Sequence, residues 1–241
     1  SSDVCSSDLF VQQSQDELNI LKKEISSSNK PLIITEGKTD WKHLVAAYEK
    51  LKNEYHGFEI EFLRFDEELK MGSSALKTML ENLKNVPQSR KIIGIFDRDE
   101  SNIVKDYGGT PYTDLGNNVY ALCIPKISDE LDQISIEYYY SETDLKTQDK
   151  NCRRLFDGLE FHKSGNSKCG NYQAQEKNKT SKQVIIDNGV YLTSDPEWTT
   201  SVALSKNNFA DFILKKEVNF SDIDFSNFRK IFGIIQDITK V

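Results

Sequence analysis

Asp97 and Asp99 stand at the end of the apolar run Ile92-Ile93-Gly94-Ile95-Phe96. The run is short, rich in branched aliphatics and without polar alternation, the pattern of a parallel strand buried on both faces. Side chains at i and i+2 leave a strand on the same side, so the two carboxylates should point together out of the carboxyl end of a sheet. Open α/β folds hold their ligands there. Carboxylates that close repel each other unless they share a proton or a cation, and a divalent metal meets that need. A second apolar run, Leu32-Ile33-Ile34-Thr35, ends in Glu36-Gly37, and Asp40 follows one helical turn later. Glu36, Asp40, Asp97 and Asp99 are therefore expected at one corner of a single sheet. Hard oxygen ligands of this kind suit Mg²⁺ or Mn²⁺.

These acids need strands and helices to bring them together. Leu32–Thr35, Phe58–Phe65, Ile92–Phe96 and Asn118–Ile124 read as strands. Between them, Trp41, Leu44, Val45, Tyr48 and Leu51 form one helical stripe, and Leu76, Met79, Leu80 and Leu83 form another. The order β-α-β-α-β-β, with helices long enough for right-handed crossovers, predicts a Rossmann-like α/β domain with a mostly parallel sheet flanked by helices. A helix is expected over residues 10–28. Ile134–Tyr140 reads as a helical turn whose Tyr138, Tyr139 and Tyr140 pack in the core and at its rim rather than stacking on bases. Val184–Leu192 holds short strands. Lys206–Lys216 and Asn227–Thr239 read as helices, the last with a stripe of Phe228, Ile231, Phe232, Ile235 and Ile238. His43 and His56 are expected on helix surfaces.

The chain carries a net charge of -7, which argues against adhesion to nucleic acid by bulk charge but leaves room for a local basic patch. Residues 145–183 supply one. Lys146, Lys150, Arg153, Arg154, Lys163, Lys168, Lys177, Lys179 and Lys182 face four acids there, a local balance of +5. The first six of these are candidate phosphate-backbone contacts. The same segment also reads as a solvated loop, or as an insertion between subunits of a homo-oligomer. The cysteines are scattered, with no CxxC pair, which fits a reduced cytoplasmic protein. Cys152, His162 and Cys169 lack a fourth ligand and tight spacing, so zinc is not expected. No apolar run approaches the roughly 18 residues of a membrane span. Ser1–Leu9 repeats Ser-Ser-Asp and reads as a cloning or sequence-assembly remnant.

Ile33-Ile34-Thr35-Glu36-Gly37-Lys38-Thr39-Asp40, a helix, and later Ile95-Phe96-Asp97-Arg98-Asp99 together resemble the TOPRIM domain. That domain is shared by topoisomerases, bacterial primases, RNase-M5-like proteins and the OLD nucleases. The resemblance covers roughly Pro31 to Phe212. Asp40, Ser135-Ile136-Glu137 and Ser205-Lys206-Asn207-Asn208-Phe209-Ala210 look more like the OLD-type branch, which places a further carboxylate and a lysine at such points. The resemblance implies a TOPRIM core over 31–144, a basic insertion over 145–183 and a C-terminal part, 184–241, completing the α/β domain. It also implies a Mg²⁺-dependent nuclease with two ions about 3.5–4 Å apart. Glu36, Asp40, Asp97, Asp99 and Glu137 would be ligands. Glu36, Asp97, Asp99 and Lys206 would form the catalytic set, with Lys206 stabilising charge on the phosphate.

OLD-type proteins carry an ATPase ahead of this domain, and only about 30 residues precede it here. The resemblance then implies a stand-alone effector working with a separate ABC-type ATPase, as in some anti-phage systems. Gly37-Lys38-Thr39 is not a nucleotide loop, because that motif needs a glycine at position 32, which is Leu32. A catalytically inactive TOPRIM subunit that binds nucleic acid or regulates a partner is the alternative. Primase-type nucleotidyl transfer would need a template-binding domain that is not evident. A haloacid-dehalogenase-type phosphatase would place its Asp-x-Asp on the first strand and leave Glu36 without a use.

Overall fold

The computed structural model describes residues 23, 25, 28–55, 57–66 and 69–240. Ser1–Leu9 and His56 lie outside the described residues. So does most of the expected first helix, of which Lys23 and Ile25 are described and helical. A five-stranded sheet forms the centre, with strands β1 (Leu32–Thr35), β2 (Glu61–Phe62), β3 (Ile92–Phe96), β4 (Thr113–Gly116) and β5 (Val119–Cys123). Their spatial order is β2-β1-β3-β5-β4. β1 pairs in parallel with β2 and β3, and β3 pairs in parallel with β5. Only β4 runs antiparallel, as the outer arm of a hairpin with β5. The chain is thus a mixed α/β protein with a mostly parallel central sheet flanked by helices.

The continuous apolar runs behave as expected of strands covered on both faces. Ile33, Ile93, Ile95 and Leu122 face one layer, and Leu32, Ile34, Ile92, Phe96, Val119 and Ala121 face the other. The second layer is closed by α2 (Ser73–Leu83) and α3 (Ser101–Tyr107), through Leu76, Leu80, Ile103 and Tyr107. Gly94 is needed for this closeness, because a Cβ there would overlap Leu80 Cδ1. The first layer is closed by α1 (Asp40–Leu51), α5 (Lys206–Lys215) and α6 (Arg229–Thr239). Ile231, Phe232, Ile235 and Ile238 of α6 are 0–3% exposed. Each such side chain contributes roughly 1.5–3 kcal/mol by burial, as an upper bound.

Several elements differ from the expectation. The second strand pairs only over Glu61–Phe62, being an edge strand held on one side. α3 and β4 are additional, and the β4–β5 turn runs through Asn117 and Asn118, both at positive φ (51° and 64°). The chain between Leu145 and Leu204 builds a separate small core from Phe156, Phe161, Ala174, Ile186, Val190 and Ala203. Two short antiparallel pairs support it, β6 (Phe156–Asp157) with β8 (Ile185–Ile186) and β7 (Tyr172–Ala174) with β9 (Val190–Leu192). The strands after residue 184 therefore pair back onto the basic segment, and α5 and α6 return to the main sheet. A four-residue helix, α4 (Glu142–Leu145), links the two parts. Among the described residues no helix is long and apolar enough to cross a membrane.

Candidate functional site

The carboxyl ends of β1 and β3 lie side by side. The ladder runs one residue past β1, with Glu36 N–H donating to Ile95 O at 3.0 Å. Glu36 then reaches across to the end of β3, where its Oε2 accepts from Asp97 N–H at 3.3 Å. Beyond β3 the chain stays extended, because Arg98 exchanges both backbone hydrogen bonds with Ile134. That pairing brings the Ser135-Ile136-Glu137 turn against the Asp-x-Asp pair, and Ile136 N–H donates to Asp97 Oδ1 at 3.0 Å. Arg98 itself is buried against Cys123 on the far side.

Asp40 opens α1 and folds back over Gly37, whose N–H donates to Asp40 Oδ2 at 2.7 Å. A Cβ on Gly37 would lie 2.7 Å from that same oxygen, so glycine is needed for this close approach. Lys206, the first residue of α5, is delivered by the packing of α5 along α1. Ser205 caps α5 by accepting from Asn208 N–H. Lys206 Nζ lies 3.1 Å from Glu137 Oε2, and the Glu137 side chain is only 1% exposed. Lys42 pins the two helices together, with its buried ammonium 2.8 Å from Asp211, 3.1 Å from Asp66 and hydrogen-bonded to Asn207.

Electrostatics tie the five acids and Lys206 into one group. Burial, then the charges of Asp99 and Asp40, push Glu36 up to about 7. Burial and Glu137 raise Asp40 to about 6, against the pull of the Gly37 N–H. Asp97 is raised as well, by burial first and then by Asp40, Glu137 and Asp99. Glu137 goes the other way. Burial opposes its charge, but Lys206 and then His43 outweigh it and bring the carboxyl down to about 2. Lys206 is held charged against its own burial by Glu137 and Asp97. Glu137 is thus ionised and paired with Lys206, while its acidic neighbours keep their protons to higher pH than free carboxyls do.

The donor set is oxygen only, which fits Mg²⁺ or Mn²⁺ in kind. Among the described residues, no three His, Cys, Asp or Glu side chains converge tightly enough to hold a metal ion as they stand. Four of the acids are engaged internally: Asp40 accepts from Gly37, Asp97 from Ile136, Glu36 from the Asp97 amide and Glu137 from Lys206.

The basic candidates divide. Arg154 is 8% exposed, stacked 3.7 Å over the Phe156 ring and paired with Glu160 through both terminal nitrogens. Arg153 donates through Nε and one terminal nitrogen to a single carboxylate oxygen of Asp149, and Lys146 pairs with Glu142. Lys150, Lys163 and Lys168 are exposed. Tyr138, Tyr139 and Tyr140 are all buried. His43 is a correction: it is 0% exposed, because α1 is covered by the sheet on one side and by α5 on the other. The Asp40-x-x-His43 spacing, which puts both side chains on one helix face, was the available signal for it. Lys42 gave no comparable signal, since Asp211 and Asn207 lie far along the chain. No protein-family model, no curated protein and no solved structure matches the chain.

Proposed function

We propose that this chain is a TOPRIM-type, Mg²⁺- or Mn²⁺-dependent nuclease that hydrolyses phosphodiester bonds of DNA or RNA. One observation carries the reading. Glu36 at the end of β1 and Asp97 at the end of the adjacent parallel strand β3 are joined by a hydrogen bond, within a group of acids whose protons a cation could replace. Glu36, Asp40, Asp97, Asp99 and Glu137 would hold the cations. When bound, these would polarise the phosphate and lower the pKa of an attacking water. Glu36 would bind a cation or orient the attacking water. Lys206 would meet the charge that builds on the phosphate. Of the six candidate backbone contacts, Lys150, Lys163 and Lys168 are the exposed ones left to track the phosphates. An effector role in anti-phage defence, with a separate ABC-type ATPase as partner, goes with this reading through the family resemblance.

The alternative, a catalytically quiet subunit that binds or regulates, draws support from the acids being turned to internal donors. The test offers plasmid DNA, single-stranded DNA and tRNA with Mg²⁺ or Mn²⁺, and compares the chain with Asp97→Ala and Glu36→Ala. Cleavage lost in both variants is expected. Cleavage that survives both overturns the assigned site, and tight binding without cleavage favours the quiet subunit.

A further inference from the structure

His43 lies beside the candidate site, and the proposed chemistry leaves it without a role. Its ring is fully buried, with Nδ1 2.8 Å from the Tyr140 hydroxyl. Its Nε2 has no hydrogen-bond partner among the described residues. Counting protons fixes the tautomer. If Nδ1 carried the hydrogen, the Tyr140 hydrogen and the Nε2 lone pair would both be stranded in the core. With the phenol donating to Nδ1, only the Nε2–H is left over. Tyr140 and Phe209 hold the ring edge-on and tilted, at centroid distances of 5.4 and 6.0 Å. Burial keeps the imidazole neutral, and Glu137 is the foremost charge acting against that. Tyr140 ties the ring to the Glu137 turn, since its own N–H donates to Glu137 O at 3.1 Å, and Lys206 occupies Glu137 Oε2.

We infer that His43 is a positioning residue for Glu137: Tyr140 sets its tautomer, and its Nε2–H supports the Glu137 carboxylate when Lys206 leaves it for the substrate phosphate. This rests on reading Glu137 as part of the cation site. A standby donor lets Lys206 move without stranding a buried carboxylate, which a single lysine could not do.

The tautomer is read directly by ¹⁵N NMR of the imidazole. Hydrogen on Nε2 is expected, and hydrogen on Nδ1 overturns the inference. Mn²⁺ affinity supplies the second readout. His43→Phe keeps the ring and loses the donor, and should weaken Mn²⁺ binding by about 10–100-fold. His43→Gln restores a donor and should recover most of the affinity. Equal affinity in His43→Phe and the original chain overturns the inference. If the original chain takes no Mn²⁺, the cation reading fails, and Glu137→Gln then judges His43 alone. Its Nε2–H resonance should move upfield when the charge is lost, and an unmoved resonance in a folded Glu137→Gln overturns the positioning role.

Discussion

Replacing Lys206 with methionine keeps the bulk of the side chain and removes the cation that Glu137 pairs with. At 3.1 Å the attraction is about 5 kcal/mol for an effective dielectric of about 20. Glu137, 1% exposed, cannot turn to water when that attraction is gone. It can take up a proton instead, and this caps the loss. From an unfolded value of about 4.3, protonating a glutamate at pH 7 costs about 4 kcal/mol, and at pH 5 only about 1 kcal/mol. The variant's loss of stability should thus be about 3 kcal/mol larger at pH 7 than at pH 5. The sign follows from the direction of the shift. In the intact chain the Glu137 pKa is lowered, so its stabilisation is present above the unfolded value and lost as pH falls through the folded one. In the variant the shift reverses, and stability is lost as pH rises above the unfolded value. Urea melts at the two pH values measure both. An unchanged stability at pH 7, or an equal loss at pH 5, would refute the argument that Glu137 is sealed in the core with Lys206 as its counter-charge.

The acids raised by burial and by one another should make the cation-free protein less stable as pH climbs from about 4.5 to 7. Glu36 and Asp40, raised to about 7 and about 6, hold protons in the fold that the unfolded chain has already released. Thermal melts should show this slope, reduced in Glu36→Gln, and Mg²⁺ should stabilise more at pH 8 than at pH 6. Gly94→Ala should cost about 1–3 kcal/mol in a chemical melt, because its Cβ enters space that Leu80 fills. Arg154→Met should lower stability by about 1–3 kcal/mol through the loss of its fork to Glu160. Lys163→Ala with Lys168→Ala should leave the melt nearly unchanged, and should reduce the salt slope of nucleic-acid binding by about one per lysine.

Leu32–Thr35 and Ile92–Phe96 were legible because a parallel strand covered on both faces is apolar throughout, and these runs are short and rich in β-branched residues. The stripe of α6 was legible because all its large side chains face one layer. The shared sheet edge of Glu36, Asp40 and Asp97 followed once those strands were placed, whereas Glu137 and Lys206 were expected there only through the family resemblance. β4 was not legible, since Thr113-Asp114-Leu115-Gly116 covers an edge with one apolar side chain, although Asn117-Asn118 is a turn pair suited to positive φ. α3 is seven residues long, too short for a repeat of its apolar face. The hardest to read were the buried charges. Lys42, Arg90 and Arg154 have the composition of a surface, and only partners brought in by the fold make them interior groups. A window of local sequence carries no trace of such pairing.

The delivery of Lys206 by α5 also bears on the order in which the protein is made. All five strands of the sheet are complete by Cys123, and Glu137, the last of the acids, follows soon after. Their counter-charge comes about seventy residues later, on a helix that must cross back to α1. A nascent sheet folding from its N-terminal end therefore carries its acids without Lys206, and protonation is the means by which it can close around them. Docking of α5 then brings Lys206 to Glu137 and holds that buried carboxylate in its charged form. Translation thus assembles the scaffold first and its electrostatic balance last.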